Sequence, residues 1–466
     1  MKSIKIIWCV VILSVCLFSS QNSMGQDNFK LPSYEKHTLD NGLVVYFVIQ
    51  KEVPLVHFRG VFPAGARYDT QEKLGLSELT ASALSFGTKN YSKSQIEETL
   101  DFLGASVSSN AGTEVATLAA TFVSKDQDQV LPILAEMITE PAFPAEEFEK
   151  QSQRALAALD QMRESPRSVI GSYFNAMIYQ QHPYANPSSG TKQTVSAIDV
   201  SDLKDFYQSH YVPEGSVLAV VGDFDQKSML TALTNAFKDW STKSNISYKA
   251  AAILPLEKPQ VVVVNKEDAR ETTMLIGGLG VPRNTEDFIG IQVINTILGG
   301  RFTSWLNDEL RVNSGLTYGA RSSFSSLKEG GSFSMSTFTA NETTAPTIEL
   351  ALKTYQKLLE QGVDAKTLES AKNYVKGQFP PDYETNAAIA RFFTDVFVYG
   401  IPLNYIDTFS ETVNGLTVKK AKVLIEKYFP SENLQMVFVG KASEITPIVS
   451  KYGSLKVLEI KEDGFQ

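Results

Sequence analysis

"GLSELTASALSFGT", residues 75–88, sets apolar side chains at helical spacing: Leu76, Leu79, Ala83 and Phe86. These four predict a helix with one face in a core. The polar positions carry Glu78, Thr80 and Ser82. Positions 78 and 82, four apart, share a face, with Ala81 beside them. That face is where chemistry would be sought.

Around this stretch the chain is long, with 466 residues, which suits two to four domains rather than one. Its 43 % apolar and 20 % charged residues are enough to build cores and argue against disorder. Lys2 and Lys5, an apolar run from Ile6 to Phe18, and the small residues Ser23 and Gly25 read as a signal peptide over residues 1–25. The run is shorter than the roughly 20 residues that a membrane span needs. Cys16 follows a bulky Val15, so soluble export, with a periplasmic destination, is favoured over lipid anchoring. Both cysteines, Cys9 and Cys16, fall within the leader, which leaves no thiol or disulfide chemistry for the mature chain. Losing Lys2 and Lys5 takes the formal charge from −9 to −11, unsuited to nucleic acid. No later segment has the length and apolarity to span a membrane.

One pattern occurs twice. "DLKDFYQSHYVPEGSVLAVVGDFD" (202–225) and "KAKVLIEKYFPSENLQMVFVGKAS" (420–443) each run from a helix through an aromatic and proline into an apolar strand that ends in glycine. Strand patterns at Leu43–Ile49 and Val56–Phe62 open one half, and Val261–Val264 and Thr273–Gly278 open the other. Helical spacing marks Ile96–Leu103, Val130–Ile138 and Ile348–Leu359. The fold expected is α+β, in two homologous halves, each an antiparallel-rich sheet covered on one face by helices. Residues 26–241 form the first half, 242–260 a linker rich in small residues and proline, and 261–466 the second half.

With Gly75, Leu76, Gly87 and Thr88 in frame, the opening stretch resembles the pitrilysin/insulinase family of zinc peptidases, whose inverted motif is H-x-x-E-H. In that motif two histidines four apart hold zinc and the glutamate addresses its water. The matching positions here are Glu78, Ala81 and Ser82, and the third ligand position falls at Ala157 or Ala158. Alanine has no base to offer, and neutral serine is a poor zinc ligand beside imidazole. Asp160 and Glu164 stand nearby, and His37, His57, His182 and His210 show no pair at helical spacing. No zinc is expected in this chain.

A second resemblance survives in "GGRFTSWLNDELRVNSGLTYGARS" (299–322), where Arg311 and Tyr318 match the family's substrate-contacting arginine and tyrosine. Gly104-Ala105 and Asn110-Ala111 resemble the turn and strand on which family members lay their substrate. The segments 182–191 and 400–407 resemble family loops. The resemblance implies a non-catalytic subunit with Arg311 and Tyr318 facing peptide, clamshell half of a peptidase chamber. Its partner would be a homologous subunit that brings the zinc. The alternative is a peptide-binding or scaffold protein of the same fold with no part in proteolysis.

Overall fold

The computed structural model describes residues 30–241 and 251–465. The expected signal peptide and residues 242–250 of the expected linker lie outside them. Two six-stranded sheets are built on nearly the same plan. The first contains β1 (Tyr34–Thr38), β2 (Val44–Ile49), β3 (Leu55–Phe62), β4 (Ser106–Ala111), β5 (Ala116–Val123) and β6 (Val217–Gly222) in the order β1-β2-β6-β3-β5-β4. The second contains β7 (Gln260–Asn265), β8 (Glu271–Leu279), β9 (Ala320–Ser326), β10 (Gly331–Ala340), β11 (Gln435–Gly440) and β12 (Ser454–Glu459) in the order β12-β7-β11-β8-β10-β9. In each, the first long strand runs parallel to the last inner strand, β2 with β6 and β7 with β11. The halves differ at the outer edge, where β1 is antiparallel to β2 but β12 is parallel to β7.

The coverage of the sheets departs from the expectation of one covered face. Strand β6 buries all six residues, and its side chains split between two cores. Leu218 and Val220 join the helices of the first half, whereas Val217, Ala219 and Val221 join the core of the second. The cover over this second face is helix Asn386–Tyr399, contributed by the C-terminal half against β3 and β6. Tyr34, Tyr46 and Phe393 close the contact, with Phe393 4.8 Å and 5.1 Å from the two tyrosine rings. The exchange is reciprocal. Helix Pro166–Tyr179 of the N-terminal half lies on β8 and β11, where Val437 and Val439 pack with Val169, Tyr173 and Phe174. Runs as apolar as Val217–Val221 suit strands buried on both faces, which is why neither sheet could be left with one face in water. Each such valine contributes roughly 1.5–3 kcal/mol when buried.

The halves are also tied by a buried ionic cluster where two equivalent hairpin turns meet. Glu114, in the β4–β5 turn, accepts from the Lys328 N–H at 3.1 Å in the β9–β10 turn. Arg67 bridges the turns, with one guanidinium nitrogen 3.1 Å from Glu114 and another on Glu329. The Tyr184 hydroxyl donates to Glu114 and accepts from the Glu329 N–H at 3.1 Å. His182 Nε2 lies 3.4 Å from Glu329. Burial pushes the Glu114 carboxyl above its ordinary range, against the pull of Tyr184, the Lys328 N–H and Arg67.

Removing the guanidinium leaves Glu114, only 3 % exposed at its side chain, without its cation. Arg67→Met should therefore lower unfolding free energy by about 3–5 kcal/mol in a urea titration. A loss under about 1 kcal/mol would mean the cluster is not a structural tie.

Candidate functional site

The helix predicted from the opening stretch spans Leu76–Ala83 and begins at Gly75, whose φ of 94° is left-handed. A β-carbon at this position would also stand 3.1 Å from the Cα of Gly190, so the loop 182–191 closes directly against the helix start. Leu76, Leu79, Ala83 and Phe86 are buried in the first core. Asp69, 6 % exposed, accepts from the N–H groups of Gly75 and Ser77, both at 2.9 Å, and from the Ser77 hydroxyl at 3.1 Å. It satisfies helix-end donors that otherwise lack partners. Burial pushes its carboxyl up to about 7, while these three hydrogen bonds pull the other way. Asp69 is a positioning residue that the sequence pattern did not reveal, because its link to the helix runs through a turn rather than a cap spacing.

On the opposite face, Glu78 Oε2 accepts from the Ala111 N–H at 2.6 Å, and its other oxygen receives the Ser82 hydroxyl at 3.4 Å. Glu78 and Ser82 thus come together as helical spacing requires, and the carboxylate holds the end of edge strand β4. Ala81 is fully buried. Ala157 and Ala158 sit exposed on helix Ala145–Glu164. The nearby acids point elsewhere: Asp160 pairs with Lys192, and Glu164 with Lys266 at 3.1 Å. This donor set does not fit zinc. Among the described residues, no three His, Cys, Asp or Glu side chains converge as a metal site would need.

The histidines are apart from one another and mostly interior. His57 Nδ1 pairs with Thr121 at 2.8 Å, and His210 packs between Tyr68 and Phe206 at 4.5 Å and 4.4 Å. Burial holds both imidazoles neutral, with pKa near 4.

Arg311 lies in a π-helical turn, Asp308–Asn313, with its guanidinium 4.7 Å from the ring centre of Phe302. Tyr318 is 82 % exposed. Its loop, however, is firmly held: Thr337 donates to the Gly319 carbonyl at 3.0 Å and Thr339 to the Leu316 carbonyl at 2.6 Å. Gly299 lets the preceding turn meet β9, since a methyl group there would stand 2.1 Å from the Ser322 nitrogen. The phenol lines a cleft of about 650 Å³ with Arg167, Arg321 and Phe338. No hydrogen bond or ion pair among the described residues joins Arg311 or Tyr318 to Glu78, Ala81 or Ser82.

Two family models divide the chain: that for insulinase, peptidase family M16, matches residues 51–192, and that for the peptidase M16 inactive domain matches residues 197–375. The chain belongs to peptidase family M16. Among M16 relatives, a Bacillus subtilis protein named as an uncharacterized zinc protease, YmxG, is 22 % identical over 85 % of this chain and 96 % of its own. A Helicobacter pylori protein named non-peptidase homolog YmxG is 23 % identical over 83 % and 89 %. The M16 inactive-domain structure from Pseudomonas fluorescens superposes with a TM-score of 0.83, at 24 % identity over 88 % of this chain and 98 % of that one. A chain of Complex III2 from Candida albicans shares the fold, with a TM-score of 0.76 at 16 % identity over 91 % and 100 %. Within the M16 frame, the helix is present and its polar face is not that of a zinc site.

Burial raises the Glu78 carboxyl, the Ala111 and Ser82 hydrogen bonds opposing it. A carboxyl raised in the folded state favours folding most below its ordinary value and loses that contribution as pH rises from about 4.5. Glu78→Gln, which keeps an acceptor for Ala111, should match the native chain at pH 4.5 and exceed its melting temperature at pH 7.5. Glu78→Leu should cost about 1–3 kcal/mol at either pH by stranding the Ala111 N–H. Equal pH profiles for Glu78→Gln and the native chain would refute the burial of charge.

Proposed function

We propose that this chain is the non-catalytic subunit of a two-subunit M16 zinc peptidase, exported and soluble, that closes over a homologous partner carrying the metal. The observation that carries the reading is the pairing of a retained helix without zinc donors and a held loop that presents Tyr318 to solvent. Phe302, Val312 and Tyr318 are exposed at 65, 64 and 82 % around Arg311. Aromatic side chains and arginine are the residue types that interfaces favour. A relative named as a non-peptidase homologue supports the same direction. No helix of the described residues is long and apolar enough to cross a membrane.

In this reading peptide meets the chain along an edge strand, where unpaired N–H and C=O groups accept an added strand. Strand β4 is such an edge, and Glu78 fixes its last residue through Ala111. Arg311 offers a planar fork of donors to peptide carbonyls or carboxylates, and Tyr318 a phenol, at the part of the chamber this chain supplies. The chain orients substrate; the partner supplies the Lewis acid. No chemical step is assigned to residues 78, 81 or 82.

Isolation of the tagged mature chain from its native compartment should bring down a sister chain with an intact H-x-x-E-H and chelator-sensitive peptide cleavage. Arg311→Ala should then leave the complex assembled and lower kcat/KM roughly tenfold to hundredfold. A native chain recovered alone and without cleavage, or a mutant complex that cleaves at the native rate, would turn the assignment toward a scaffold of the same fold.

A further inference from the structure

The C-terminal half encloses a cavity of about 560 Å³ that shares no residue with positions 78, 81, 82, 311 or 318. Its volume is that of a small-ligand pocket. It opens between helices Ala365–Gln378 and Asn386–Tyr399 and the end of edge strand β9, and the loop 400–407 contributes Ile401 and Tyr405 to its wall.

The lining divides into an apolar body and a charged rim that includes two arginines. Phe324, Phe379 and Phe409 supply aromatic surface, with Phe379 and Phe409 stacked at 3.5 Å. Arg283 lies 4.2 Å from the ring centre of Phe288 and 5.6 Å from that of Tyr405. Among the described residues it forms no ion pair. Among the described residues Arg391 pairs with one carboxylate, Asp395, at 3.6 Å, and its side chain is 72 % exposed. Asp395 must serve Arg391, Arg59 and Arg283 together, since all three guanidiniums act on it. Burial outweighs them and raises its carboxyl, which weakens its value as their counter-ion. Asp382 is the other acid on the wall and is solvent-exposed. The Ser326 hydroxyl, buried on the same wall, has no hydrogen-bond partner. Two arginines and two aspartates thus stand over an aromatic floor, and of the arginines Arg283 is the one left without a carboxylate within ion-pair distance among the described residues.

We propose that this cavity binds a carboxylate attached to an apolar body, with the carboxylate between Arg283 and Arg391 and the body on the phenylalanines. Guanidinium pairs suit carboxylates because their planar donors match two acceptor oxygens. A short peptide can present that chemistry in two ways, through its C-terminal carboxylate or through an acidic side chain beside an apolar residue. The proposal goes beyond the partner reading: it concerns binding by this chain alone, and its failure would leave that reading standing.

Calorimetric titration of the purified full chain tests it with three tripeptides: alanyl-alanyl-phenylalanine as the free acid, the same peptide as its amide, and an amidated tripeptide with glutamate before phenylalanine. The free acid should bind with Kd below about 1 mM and at least about tenfold more tightly than its amide. Binding of the glutamate peptide would add the side chain as a source; its failure beside a binding free acid would restrict the site to C-termini. Arg391→Gln, at an exposed position, should weaken the acid about tenfold without lowering the melting temperature, and Arg283→Gln should do the same to its affinity. No heat from either acid, equal binding of acid and plain amide, or native affinity in both arginine variants would overturn the proposal.

Discussion

The second faces of strands β6 and β11 constrain the rest of the molecule. Val217, Ala219 and Val221 on one, and Val437 and Val439 on the other, point away from the helices of their own half and need a separate cover. Each half supplies it to the other, as helices Asn386–Tyr399 and Pro166–Tyr179. The two halves therefore share their cores. The Arg67 cluster adds direction to this apolar tie, because it locks one hairpin turn of each half to a single guanidinium.

That constraint extends to the helix at the candidate site. Leu76, Leu79 and Ala83 hold it in the core, Asp69 satisfies its first donors, and Glu78 clamps β4. These contacts involve no metal. A helix fixed from behind and at its end keeps its shape when its front face changes, so its geometry does not depend on metal ligands at that face.

Much of the fold was legible. The strands read at 43–49, 56–62, 261–264 and 273–278 correspond to β2, β3, β7 and β8; the helical patterns at 130–138 and 348–359 lie inside Gln127–Thr139 and Thr344–Gln361, and that at 96–103 overlaps Lys93–Phe102 and runs one residue past its end. Period and turn residues act over short stretches, and these elements needed nothing more. The exchanged helices did not show their destination, since an amphipathic pattern says that a face is buried but not against which sheet. The unbroken apolar runs of β6 and β11 were the available sign that both faces are covered. At the site, helical spacing alone was enough to bring Glu78, Ala81 and Ser82 onto one helix. Asp69, Arg67 and Glu114 were not legible, because Arg67 meets Glu114 47 residues on and Glu329 262 residues on. Such pairs become neighbours only through the sheets.

The helix exchange also orders the biosynthesis of the molecule. Strand β6 ends at Gly222, but the helix that covers it is complete only at Tyr399, 177 residues later. At ordinary translation rates that gap lasts about 10–35 s. Throughout it, the nascent first sheet has Val217, Ala219 and Val221 without their native cover, so a ribosome that stalls within this interval leaves an adhesive intermediate for chaperones to hold.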